Sequence, residues 1–315
     1  MRKTCKFLEK FILVILIELL FVALFGVISF SFMHNAETNT LPMPHIVTIV
    51  FILFILGTIG TSVYMAFKAK EICVVSIKKT EPYLMFASTF AALMALAIFV
   101  YESIISVARG QMNAYFVFRA TKWVLSLVLV AYFVIQALPK KFGKLRVHIP
   151  SAAKIGVSIC AILWAVFGVL TVYFNALHMN DVSKVSQLLV YASIAVFFVF
   201  EGEFDNVKPV YKPYIISAIT CSALTFGFPL GISISKIIGK FSPYGAFSQA
   251  ELLLSFAIGL YAFAKMLAMI RTMRIVVDSK TNDHHKKFNK HKKAEEPAEE
   301  IKAEEVVESA EISEK

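Results

Sequence analysis

The chain has 315 residues, 58% hydrophobic and only 17% charged, with a mean hydropathy of +0.70, so a water-soluble fold would be left with more apolar surface than it can hide. Its net charge of +10 is spread in short clusters between apolar runs and not gathered on one polar domain, which argues for membrane topology and against nucleic-acid binding. Cys5, Cys73, Cys160 and Cys221 show no CxxC spacing and no histidine falls within the core of an apolar run, so no disulfide frame, metal or other cofactor is expected.

About 20 mostly apolar residues cross the ~30 Å of bilayer hydrocarbon as a helix. On that criterion the sequence predicts an all-α, polytopic transmembrane helix bundle of eight spans, at 11–33, 45–67, 83–107, 115–138, 152–174, 186–203, 214–237 and 249–271. Start signals precede several of them: Pro42 and Pro44, Glu81 with Pro82, Pro150 with Ser151, and Ser248 with Glu251 in a capping-box spacing. The first run is read as an anchor, because it is too long for a signal-peptide core, contains Glu18 and lacks a small-x-small cleavage site.

Basic residues in the connecting segments set the expected orientation. Lys and Arg number four before the first span, none in 34–44, four in 68–82, one in 108–114, four in 139–150, one in 175–185, two in 204–213, two (Lys236 and Lys240) after the seventh span and ten from Arg271 onward. This alternation predicts both termini on the cytoplasmic side of the plasma membrane. The loops are too short to own a core, so residues 1–277 are read as one membrane domain and 278–315 as a disordered charged tail.

Ionisable residues inside spans are the first functional candidates, since they are costly there and tend to face protein or water. Glu18 lies about seven residues into the first span and Lys265 about six from the end of the eighth. Their matched depths allow an ion pair, if those helices are neighbours, that would act as a lock or as half of a relay. Arg119 and Lys122 share a helix face at i, i+3 near the outer mouth of the fourth span, and Glu102 near the end of the third is within reach of them. They read either as snorkelling headgroup anchors or as an anion-facing vestibule. Pro229, between Gly227 and Gly231 in the seventh span, predicts a kink or an unwound turn of the kind that marks transporter sites. Ala152, Gly156 and Cys160, and Gly57 with Thr61, read as small-residue ladders for close helix packing.

The segment FVFEGEFDNVKP at 198–209 resembles a feature of uncharacterised eight-span bacterial integral membrane proteins, a family that implies a fold and no activity. From the residues alone, Glu201 and Glu203 read as cytoplasmic-rim carboxylates pairing Lys208 and Lys212. In the tail, Lys286, Lys287, Lys290, Lys292 and Lys293 form a basic cluster suited to membrane lipids, followed by a segment with nine acids and two lysines that offers a surface to a protein partner. No GxSxG, HExxH, Walker or GxGxxG pattern occurs, so an enzyme ranks behind two other classes. One is a small-solute or ion permease; the other is a non-catalytic sensory, scaffolding or envelope-assembly protein with a recruiting tail.

Overall fold

The computed structural model describes residues 2–33, 41, 45–68, 81–109, 114–137, 141–142, 145–146, 150–175, 182–206, 211–239 and 248–271. Among them are eight helices long and apolar enough to cross a membrane. They are α1 (Arg2–Ile28), continued by a π-helical turn over Ser29–Met33, α2 (Ile46–Lys68), α3 (Pro82–Arg109), α4 (Ala114–Ala137), α5 (Ser151–Asn175), α6 (Val182–Asn206), α7 (Tyr211–Ile237) and α8 (Gln249–Arg271). The remaining regular structure is a two-rung antiparallel ladder after α4, with β1 (Lys141–Phe142) and β2 (Leu145–Arg146) pairing Lys141 with Arg146 and Phe142 with Leu145. Lipid explains why helices dominate, because each backbone N–H and C=O must be satisfied within its own segment.

Contacts show that odd helices run one way and even helices the other. Glu102 of α3 meets Arg119 of α4, and Glu18 of α1 meets Thr61 of α2, so each of these pairs is antiparallel. Along α1 and α7, Gly26 lies against Gly227 and Ser31 bonds Ser235, so these two run parallel. Helix α8 bonds α4 near both ends, through Lys122 with Glu251 and Gln136 with Lys265, and is parallel to it. The start of α1 and the end of α8 therefore share one end of the bundle.

Helices α3 to α7 follow one another in contact, and α8 lies inside the arc they make, touching α3 through Phe90 and Phe256, α6 through Phe197 and Tyr261, and α7 through Thr225 and Gly259. Helices α1 and α2 pack on α7. Burial follows this plan: 72% of the apolar stretch of α7 and 78% of that of α8 is buried, against 22% in α1. Helices of the last kind are apolar all round because lipid, not protein, covers their outer faces.

Close approach occurs elsewhere than the small-residue ladders suggest. A Cβ added at Gly57 or Gly156 meets nothing within 4 Å, so neither glycine is a point of close helix approach. The intimate contact is α1 on α7, where a Cβ on Gly26 would strike the carbonyl oxygen of Gly227, and one on Gly231 would lie 2.8 Å from the carbonyl carbon of Gly26. Backbone cannot step aside as a flexible side chain can. Gly26→Ala is therefore expected to cost about 1–3 kcal/mol, seen as a lower melting temperature in detergent, whereas Gly57→Ala should be neutral or stabilising because it removes only helix-weakening glycine entropy.

Helix α7 remains helical from Tyr211 to Ile237, through Pro229, so the unwound turn expected there is absent. The glycine contacts with α1 clamp this stretch from outside while Phe228 packs on Phe30 and Phe51. The departure from α geometry falls instead in α1, at Ser29–Met33, where the Ser31 and Ser235 hydroxyls bond at 2.7 Å. A π-turn shifts the register of everything beyond it, and here it turns Phe30 and Ser31 into the core.

Candidate functional site

Among the described residues, four of the six buried charged side chains, Lys122, Glu201, Glu251 and Lys265, lie on one seam between α4, α6 and α8, while Glu102 of α3 pairs Arg119 and Lys184 of α6 lies over the Tyr173 ring. Near one end, Lys122 of α4 is 2% exposed, and its ammonium donates to Glu251 Oε1 of α8 and, at 3.4 Å, to the Tyr191 hydroxyl of α6. The same nitrogen lies 5.3 Å from the centre of the Tyr191 ring, a cation–π arrangement worth more in a desolvated site than on a surface. Tyr191 is buried deeply enough to reach it because Gly168 of α5 leaves room; a Cβ there would collide with the tyrosine ring.

Near the other end, Glu201 of α6 is 1% exposed and Lys265 of α8 is 3% exposed. Glu201 Oε1 accepts from Lys265 Nζ at 2.6 Å, from the Tyr261 hydroxyl at 2.7 Å and from the Tyr132 hydroxyl at 3.2 Å, while its Oε2 accepts from the Tyr214 hydroxyl at 2.9 Å. Lys265 also donates to Gln136 Oε1 at 3.1 Å and to the Tyr261 hydroxyl at 3.3 Å. Four helices thus meet at one carboxylate. Around it stand Phe133, Phe197 and Phe198, edge-on or tilted against the tyrosine rings.

The two clusters are 14 residues apart on α8, or about 21 Å, and ten apart on α6, or about 15 Å. Between them, at helical spacing from the charged positions, stand Leu129 on α4, Ile194 on α6, and Leu254 and Ile258 on α8, all buried, with the buried Ser126 and Ser255 one turn from Lys122 and Glu251. The arrangement is two Lys–Glu clusters separated by a mostly apolar layer.

Several expectations need correction against this geometry. Lys265 pairs with Glu201, not Glu18, since α1 packs on α2 and α7. Glu18 takes a 2.9 Å bond from Thr61 Oγ1 of α2, and its other oxygen is buried without a hydrogen-bond partner. Glu201 is no rim carboxylate: α6 runs on to Asn206 and places it inside against Lys265, while Glu203 is exposed and Lys212 lies over the Phe67 ring; Lys208 lies outside the described residues. Arg119 does meet Glu102, at 2.6 Å from Nε to Oε2. Lys122 leaves that cluster for Glu251, and at 2% exposure it does not snorkel. Pro229 shares the α8-facing stripe of α7 with Thr225 and Ser233 by register, one turn from each, and touches neither ion pair in sequence or helix contact. The tail lysines 286, 287, 290, 292 and 293 lie outside the described residues.

Sequence reasoning did not single out the partners. Glu251 was accounted for as half of a capping box. The structure keeps only the serine half, with Glu251 N donating to Ser248 Oγ at 3.2 Å, and sends the carboxylate across to α4. Tyr132, Gln136, Tyr191, Tyr214 and Tyr261 carried no signal of their own. A combined stripe did exist, with Lys122, Leu129 and Gln136 on one helix, Tyr191, Ile194 and Glu201 on the second, and Glu251, Ile258 and Lys265 on the third, each at helical spacing.

No family model, curated protein or solved structure matches this chain. The chemistry therefore has to be read from the seam. Burying an ion pair brings little net stability, and well-packed apolar residues in its place are often as good or better. Two such pairs in one helical interface, each with tyrosine hydroxyls already in place, are costly features for a bundle that only needs to hold together.

Proposed function

We propose that this protein is a small-solute or ion permease of the plasma membrane, with both termini in the cytoplasm and the α4/α6/α8 seam as its pathway. The observation that carries the reading is the pair of buried Lys–Glu clusters at opposite ends of one three-helix interface, separated by a mostly apolar layer. In this reading each cluster acts as a gate, because the tyrosine hydroxyls beside each ion pair can solvate its charges in part while a solute inserts between them. Both gates are closed in this conformation. Opening one at a time, by rocking α8 against its arc, would give alternating access around the apolar layer.

Orientation has a direct test. A phosphatase reporter that folds only outside the cytoplasm, fused after Lys315, is expected to be inactive, and a fluorescent protein at the same place bright; an active phosphatase would invert the topology. For transport, proteoliposomes on a solid-supported membrane would be exposed to rapid jumps of protons, sodium ions and small amino-carboxylates. The expected result is a charge-displacement current with wild-type protein for at least one jump, lost in Glu201→Gln. Currents and radiolabelled amino-carboxylate uptake both no larger than those of protein-free liposomes for the whole panel would reject the permease reading.

A further inference from the structure

The cluster around Lys122 holds more polar capacity than its ion pair uses. Trp164 of α5 is fully buried and its ring stands edge-on to Tyr191, with centres 5.5 Å apart. Its Nε1–H has no hydrogen-bond partner among the described residues. Gln187, one turn before Tyr191 on the same face of α6, is 4% exposed, and its Oε1 is also without a partner. A buried donor and a buried acceptor, each left over, thus flank the tyrosine that receives Lys122. Unpaired buried polar groups are rare and costly in proteins, and elsewhere on the seam the polar groups are matched: the Glu201 carboxylate receives four donors.

The set of groups selects a ligand class. Donors are the Lys122 ammonium and the Trp164 N–H; acceptors are the Glu251 carboxylate and Gln187 Oε1; the Tyr191 and Trp164 rings offer faces to a cation. A lone anion drawn to Lys122 would be repelled by Glu251 next to it. A lone cation drawn to Glu251 would meet Lys122. A molecule carrying both charges satisfies both partners at once, placing its carboxylate on Lys122 and Trp164 and its ammonium on Glu251 and Gln187, and it adds no net charge to a locus that also borders buried Lys184, which lies over the Tyr173 ring. We propose that this locus between α4, α5, α6 and α8 binds a small zwitterion with one carboxylate and one ammonium group, which inserts into the Lys122–Glu251 pair. The inference rests on the permease reading only in making this zwitterion its substrate; binding itself needs no transport.

The test uses that independence. The chain has two tryptophans, and Trp123 is occupied elsewhere, donating to Phe99 O at 3.0 Å and Ser103 Oγ at 3.2 Å. Trp123→Phe therefore leaves Trp164 as the sole indole reporter. In detergent, the full chain with this substitution would be titrated with glycine, β-alanine, γ-aminobutyrate and glycine betaine, and in parallel with acetate, ethylammonium and acetamide. The expected result is a saturable change in Trp164 emission with at least one zwitterion, absent with the three single-group probes. Gln187→Leu, which removes the leftover acceptor without unpairing a charge, should weaken that binding about tenfold while leaving the melting temperature equal or higher. Three results would each overturn the proposal: no saturable response to any zwitterion, as ordered water at the two leftover groups would give; an equal response to acetate or ethylammonium; or undiminished binding by Gln187→Leu. Binding without current and without uptake of the bound zwitterion into proteoliposomes would instead sink the permease reading and leave the site standing.

Discussion

Glu201→Gln is expected to abolish charge displacement and to destabilise the bundle by about 3–5 kcal/mol, the usual effect of leaving a buried charge without its counter-charge. The loss comes almost wholly from Lys265, whose ammonium is 2.6 Å from Glu201 Oε1 and would face the neutral oxygens of Gln136, Tyr261 and the new amide in place of a carboxylate. The tyrosine bonds matter less individually, since hydrogen bonds between membrane helices average about 0.6 kcal/mol. Tyr214→Phe should thus cost a small fraction of what Glu201→Gln costs. The decisive variant is the double replacement, Glu201→Gln with Lys265→Met, which removes both charges together. Neutral substitution of a buried pair often restores or exceeds the original stability, so melting in detergent should recover most of the loss. Charge displacement should not recover. If both return, the pair is only a structural lock and the pathway reading fails at this gate.

The eight spans were legible because hydrocarbon imposes a length and a composition on any helix that crosses it, and both can be counted on a single sequence. The ends came within a few residues: 249–271 was read for Gln249–Arg271, and 214–237 for Tyr211–Ile237. What one sequence does not contain is which helices touch. Glu18 and Lys265 match in depth, yet depth is one coordinate of three, and α1 lies on α7 while Lys265 faces α6. Glu251 was hidden for a different reason: a local role at a helix start explained it fully, so its reach to α4 left no trace in the residues around it. Glu201 sat two residues from the expected end of its span, and only the further turn of α6 to Asn206 puts it inside. At α7 the chain stays helical through Pro229, where Gly227 and Gly231 pack on α1.

Lys122→Met is expected to cost more stability than Arg119→Met, although the two cations stand three residues apart on one helix. Arg119 has a side chain 21% exposed, at the edge of the bundle, and its removal opens a way for solvent or headgroups to the Glu102 carboxylate, itself only 5% exposed, so the loss lies between the about 0–1 kcal/mol of a surface pair and that of an enclosed one. Lys122 is enclosed, and removing it strands Glu251 beside Tyr191 and α4 with no other cation bonded to it among the described residues. That places the loss at about 3–5 kcal/mol, readable as a larger fall in melting temperature than Arg119→Met produces. Glu251→Gln added to Lys122→Met should return most of it. A loss from Lys122→Met no larger than the about 1 kcal/mol of a surface pair would mean that Lys122 reaches water, and a Lys122 in contact with water would not form the closed gate that separates the two ends of the seam. The comparison therefore tests burial of the first gate without reference to any substrate, and it does so between two residues that sequence alone places in the same role.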